Sequence, residues 1–304
     1  MEMPVETKSS DNNNIGKETS ENKDKIDLIP ISFLHTGNDL QITNDVKFKH
    51  PIIQEVIDLD KAHLGLYSEE IYYSMVNLFL TDPYTYMVYL DDKHIDFESI
   101  SPFETFCLLF EDYTNTLNEL AKIPELEGKI SEKDNQYFKA FKFFMDIDSF
   151  FIAQDENGIK ILAYNNNGED KFLLDSSMYN YIFDFIKKIN GIPDVEKIHP
   201  EDEWAKQILI EDERDRLKKE AKKKDKKKEK INRLGNLLSA VTWGCNGGIT
   251  PFNRNQLHMY DLIDGIHRND KLLYYQNIMN GMYSGFGTVD SKKIDMNKIH
   301  WSSD

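Results

Sequence analysis

Cysteine is nearly missing from this chain of 304 residues: there are two, Cys107 and Cys245. Neither has a C-x-x-C neighbour, which argues against a disulfide framework or a zinc site and for a reducing compartment. The eight histidines include no H-x-x-x-H or H-E-x-x-H pair, so no helix carries a ready-made metal site. No apolar run approaches the ~20 residues that span a bilayer. No basic region followed by an apolar stretch opens the chain, so a secretory signal is not expected. The Gly16-Lys17 pair lacks the upstream glycine and following Ser/Thr of a phosphate loop. Asp146 and Asp148 begin like a calcium loop, but Phe150 takes the third ligand position. Carboxylates are so abundant that no single pair stands out as an acid and base. These absences lead us to expect a soluble, cytoplasmic, non-enzymatic protein with no metal, cofactor or catalytic residue. Cys107, among apolar helix positions, reads as a small buried hydrophobe.

What the chain does have is charge and aromatic bulk. The 18 Phe and 15 Tyr suffice for a sizeable core. The net charge of −16 hides an asymmetry: residues 214–233 carry a net +8, leaving −24 on the rest. An acidic body repels nucleic acid and anionic membranes.

Residues 1–27 are polar and nearly free of large apolar groups, and cannot bury enough surface to offset chain entropy, so a disordered arm is expected. Residues 28–198 read as an α+β domain. One or two strands are expected in 28–48. Helices follow over 51–64 and from Ser68, the latter turning Tyr72, Met75, Val76 and Phe79 inward. Two β-hairpins are expected, over 85–100 around the Asp91-Asp92-Lys93 turn and over 149–164 around Asn157-Gly158. Ser101-Pro102 with Glu104 starts a helix bearing Phe103, Phe106, Leu109 and Phe110, and Asp175 starts another that closes on Gly191.

Residues 200–234 contain no Pro beyond Pro200 and no Gly, run from acidic to basic, and between Lys218 and Lys230 offer only Ala221 as an apolar side chain. That pattern predicts a long, solvated, charge-laced helix suited to the helix dipole. Trp204 and Ile208 are expected to dock its start, Ile231 and Leu234 its end. Residues 235–304 read as a small helical domain, with a helical hairpin of 255–267 and 270–283 joined at Arg268-Asn269. Two surfaces stand out for binding. Tyr274, Tyr275, Met279, Met282 and Tyr283 suit an amphipathic partner helix, because Met packs adaptably, although they would also serve as a small domain's core. Lys222, Lys223, Lys226 and Lys227 could contact phosphates, although acids recur in the run and no aromatics interleave for stacking.

Two stretches carry a family likeness. One is TDPYTYMVYLDDKHIDFESISPFETFCLLF, residues 81–110; the other is MYDLIDGIHRNDKLLYYQNIMNGMYSGFGTVDSKKIDMNKIHW, residues 259–301. In their layout they resemble tail assembly chaperone-like or virion-associated proteins of tailed bacteriophages that infect Gram-positive hosts. The resemblance implies a non-enzymatic assembly factor in the host cytoplasm that binds a tail protein, such as the tape measure. A nucleic-acid-associated factor using the lysine run and a structural virion component are the alternatives.

Overall fold

A computed structural model describes residues 28–124, 135–194, 197–224, 233–244, 249–283 and 300. The expected disordered arm at 1–27 lies outside the described residues. The fold is α+β, as expected, with many helices around two small antiparallel sheets.

The chain opens with α1 (Ile31–Leu34) and a two-residue ladder of β1 (Leu40–Gln41) and β2 (Lys47–Phe48), then α2 (Ile53–Asp58) and α3 (Ser68–Phe79). Tyr72, Met75, Val76 and Phe79 of α3 are buried, as their spacing predicts. Residues 85–100 differ from expectation. They form a short helix, α4 (Met87–Asp92), and a turn with His94 at φ +57°, not a hairpin. Met87 and Leu90 are three apart and both buried; this helical spacing outweighs the β-propensity of the Tyr and Val around them.

α5 (Pro102–Ala121) starts as the sequence dictates. The Ser101 hydroxyl accepts the Glu104 amide, Glu104 reaches back to the Ser101 amide at 2.9 Å, and Pro102 holds the first turn. α6 (Gln136–Met145) follows. β3 (Phe151–Gln154), β4 (Lys160–Asn166) and β5 (Glu169–Leu174) then form a meander in the order β3-β4-β5. Its first turn is the one expected: Asp155 accepts the amides of Asn157 and Ile159, and Gly158 sits at φ +78°. The second turn, Asn167-Gly168 with both φ positive, adds a strand the sequence reading did not assign. In α7 (Ser176–Ile189), Asp175 caps the first turn by accepting the Met178 amide.

α3, α5, α6 and α7 enclose a core of rings. Phe48 stacks on Phe144 at 4.8 Å and meets Phe79 edge-on at 5.3 Å; Phe141 lies 4.0 Å from Phe150, which lies 4.5 Å from Phe110. Each fully buried ring contributes about 1.5–3 kcal/mol by area.

α8 (Glu203–Lys224) is the charged helix, 22 residues long. Its first half is docked, not solvated. Ile210 is buried with Met87, Leu90 and Phe97 in a small second core; Lys206 pairs with Asp96 at 2.5 Å, and Arg214 with Asp91 and Asp92 at 3.0 and 2.8 Å. Trp204 and Ile208, expected to make this contact, are 73% and 38% exposed. Ile210 lies on the face that meets α4, and they do not.

α9 (Arg233–Gly244) and α10 (Met259–Tyr283) complete the described chain. Leu234, Leu238, Val241, Met259 and Leu262 are buried in the same core as the aromatic rings, so this segment packs on the body. In place of the expected hairpin of 255–267 and 270–283, residues 259–283 form one continuous helix. Nothing at Arg268-Asn269 breaks it, and Arg268 bonds Asp264 one turn back at 2.8 Å.

Candidate functional site: exposed aromatic helix and basic helix end

α10 is buried only at its start, through Met259, Tyr260 and Leu262. From Ile263 to Tyr283 it has no fully buried residue. At about 100° per residue, Leu272, Tyr275, Met279 and Met282 share one face, and all four are half-buried. Tyr283, 80% exposed, flanks that face at the helix end. Tyr274, 58% exposed, lies roughly 100° round from Tyr275 and faces away with Leu273. The structure therefore brings Tyr275, Met279, Met282 and Tyr283 together and separates Tyr274 from them. His300, near the end of the sequence, returns to this helix, its ring 5.3 Å from that of Tyr275.

The second predicted surface is less completely described. Lys222 is exposed near the end of α8, Lys223 lies in the same helix, and Lys226 and Lys227 fall outside the described residues. Upstream, cations are matched by acids on the same helix: Arg216 bonds Glu213 and Glu220, and Lys218 sits 3.3 Å from Asp215.

A groove of about 1010 Å³ runs between α7, α4 and α8, and sequence reasoning did not anticipate it. Met87, Phe183, Ile192 and Leu209 line it with Lys187, Lys197 and Arg216. Among the described residues its cations are paired in place, Lys187 with Asp194 and Lys197 with Asp82 at 3.2 Å. Only the contact of residues distant in sequence creates it, which hides it from a linear reading.

Elsewhere the chemistry is quiet. The Cys107 thiol is buried, and burial pushes it up to about 12, far from a thiolate at neutral pH. Asp146 and Asp148 both pair with Lys142, at 2.7 and 3.1 Å. Among the described residues no cluster of three or more His, Cys, Asp or Glu could hold a metal ion, and no helix is long and apolar enough to cross a membrane.

Residues 222–304 match the family model described as the YomV second domain. That is a phage-derived family. The matched segment begins within α8 and contains α9, α10 and the whole aromatic face just described. It also contains Trp243 and Phe252, 78% and 94% exposed. The likeness covers about a quarter of the chain and associates that part with phage proteins. No curated protein and no solved structure matches the chain.

Proposed function

We propose that this protein is a non-enzymatic assembly factor of a tailed phage, acting in the host cytoplasm by holding another tail polypeptide, such as the tape measure, before it is built in. The observation that carries the reading is α10. Within the stretch that matches a phage-derived domain, a long helix offers Tyr275, Met279, Met282 and Tyr283 along one side without burying them fully. Such a face suits an amphipathic helix laid along it, because aromatic and Met side chains supply contact area and adapt to irregular partners. The docked N-terminal body fixes the base of α10 through Met259 and Leu262, and among the described residues no side chain of its distal turns is fully buried.

Affinity capture of the tagged full-length protein from phage-infected cells tests the proposal. A tail polypeptide should be recovered, its capture should survive moderate salt, and the Met279→Glu/Met282→Glu variant should lose it. Recovery of nucleic acid without a virion polypeptide, released steeply by salt, would point to the lysine run instead and overturn the proposal. Stoichiometric presence of the protein in purified particles would make it a virion component.

A further inference from the structure

Where α10 begins, the C-terminal segment meets the body in a short backbone ladder flanked by two histidines. Ile53 donates its amide to the Leu257 carbonyl at 2.9 Å, Met259 donates to the Pro51 carbonyl at 3.1 Å, and Ile52 and His258 form an antiparallel bridge. His258 Nδ1 donates to the His50 carbonyl at 2.9 Å, and the two imidazoles lie 4.5 Å apart. His50 is 2% exposed. Its amide is held by Asp39 Oδ1 at 2.9 Å, and the edge-on ring of Phe185 closes another side at 5.5 Å. Both nitrogens of the His50 ring are without a hydrogen-bond partner among the described residues. A buried imidazole with nothing to accept a second proton's hydrogen bond is stable only while uncharged.

We infer that His50 is a proton-operated latch on the C-terminal segment. Neutral, it allows residues 257–259 to lie on residues 51–53; charged, it has no hydrogen-bond acceptor among the described residues, and it releases His258 and the start of α10. The charged and titratable groups around it do not relieve that cation. Asp39 is turned to the His50 amide, Lys49 to Glu55 at 3.1 Å, and the other cross-interface pair, His35 with Asp261, is 4.0 Å apart. Burial first, and then the neighbouring His258, draw the His50 ring down to about 4, with only Asp39 opposing. The sign follows. The folded value lies below that of a free imidazole, so docking is fully supported above the free value of 6.5 and weakens as pH falls from there towards about 4.

The test uses the full-length chain, with histidine ring signals and amide exchange followed by NMR from pH 7.5 to 3.5. His50 should titrate well below the free imidazole value of 6.5. The amides of Ile53 and Met259 should lose protection as it does, while those of Thr105 to Phe110 in α5 stay protected. In His50→Phe, or in His50→Leu should that variant not fold, the midpoint for release should move down by about one pH unit or more. Retained protection of Ile53 and Met259 at pH 4 in the unaltered protein would overturn the inference. So would an unmoved midpoint in the variant, or simultaneous loss of protection in α5.

Discussion

His258 lies against Gly37 so closely that a Cβ added to the glycine would sit 2.5 Å from Nε2 of the ring. Gly37 also stands at φ +67°, where a side chain is strained whatever the space. Gly37→Ala is therefore expected to destabilise the protein by about 1–3 kcal/mol, combining backbone strain with displacement of the His258 ring. Denaturant unfolding measures the loss, and amide exchange should place it first at residues 257–262. An unchanged midpoint would mean that the ring moves aside without cost.

A second glycine closes the other end of the same contact. Gly191, at φ +59°, ends the helix of residues 176–189, and a Cβ there would lie 2.6 Å from Cγ2 of Ile263. The clash and the strain can be separated. Gly191→Ala should cost about 1–3 kcal/mol, and adding Ile263→Ala should restore part of it, because the clash disappears and the strain remains. Additive losses in the two single variants and the double would show that the residues do not press on each other.

Much of this architecture was legible because it is local. Ser101-Pro102-Glu104, Asp175 and Asn157-Gly158 each name their structure through hydrogen bonds within four residues, and each forms as read. The failures come where packing decides. Residues 87–90 look like a strand by composition and form a helix because Met87 and Leu90 meet Ile210, more than a hundred residues away. Trp204 is the most conspicuous apolar residue at the start of the charged helix, yet it is exposed, since only the fold shows that Ile210 faces the body. The Tyr/Met set at 274–283 was recognisable as a surface, but the turn imagined at Arg268-Asn269 hid its geometry. Continuous helix puts Tyr274 off the shared face. The lone His50 and His258 carry no signature at all; only folding makes them neighbours.

Cys107 offers a direct measure of how tightly the aromatic core is closed. Its side chain is 0% exposed, and burial raises the thiol to about 12 from an ordinary 9. The thiolate fraction at neutral pH then falls by about a thousandfold. In a Cys245→Ser background, modification of native Cys107 by an aromatic disulfide reagent should be slower than in denaturant by at least that factor. Rates within about tenfold of each other would show that the helices around Phe106 and Phe110 open readily.

The docking of the charged helix sets a choice between two kinds of interaction. Its ion pairs are conspicuous, with Arg214 reaching Asp91 and Asp92 and Lys206 reaching Asp96 and Glu98. Yet Asp92 and Asp96 are about half exposed, and pairs of that kind contribute roughly 0–1 kcal/mol each. Ile210 is 3% exposed between Met87, Leu90 and Phe97, and truncating such a residue costs about 2–5 kcal/mol. Ile210→Ala should therefore free residues 203–217 to amide exchange more than Arg214→Ala does, and 0.5 M salt should do little in the unaltered protein. Charge reversal supplies the control. Arg214→Glu places a third acid beside Asp91 and Asp92 and should loosen the helix, and Asp92→Lys in the same chain should restore part of the contact. If instead salt alone released the helix as fully as Ile210→Ala, the ion pairs and not the small apolar core would be what holds it.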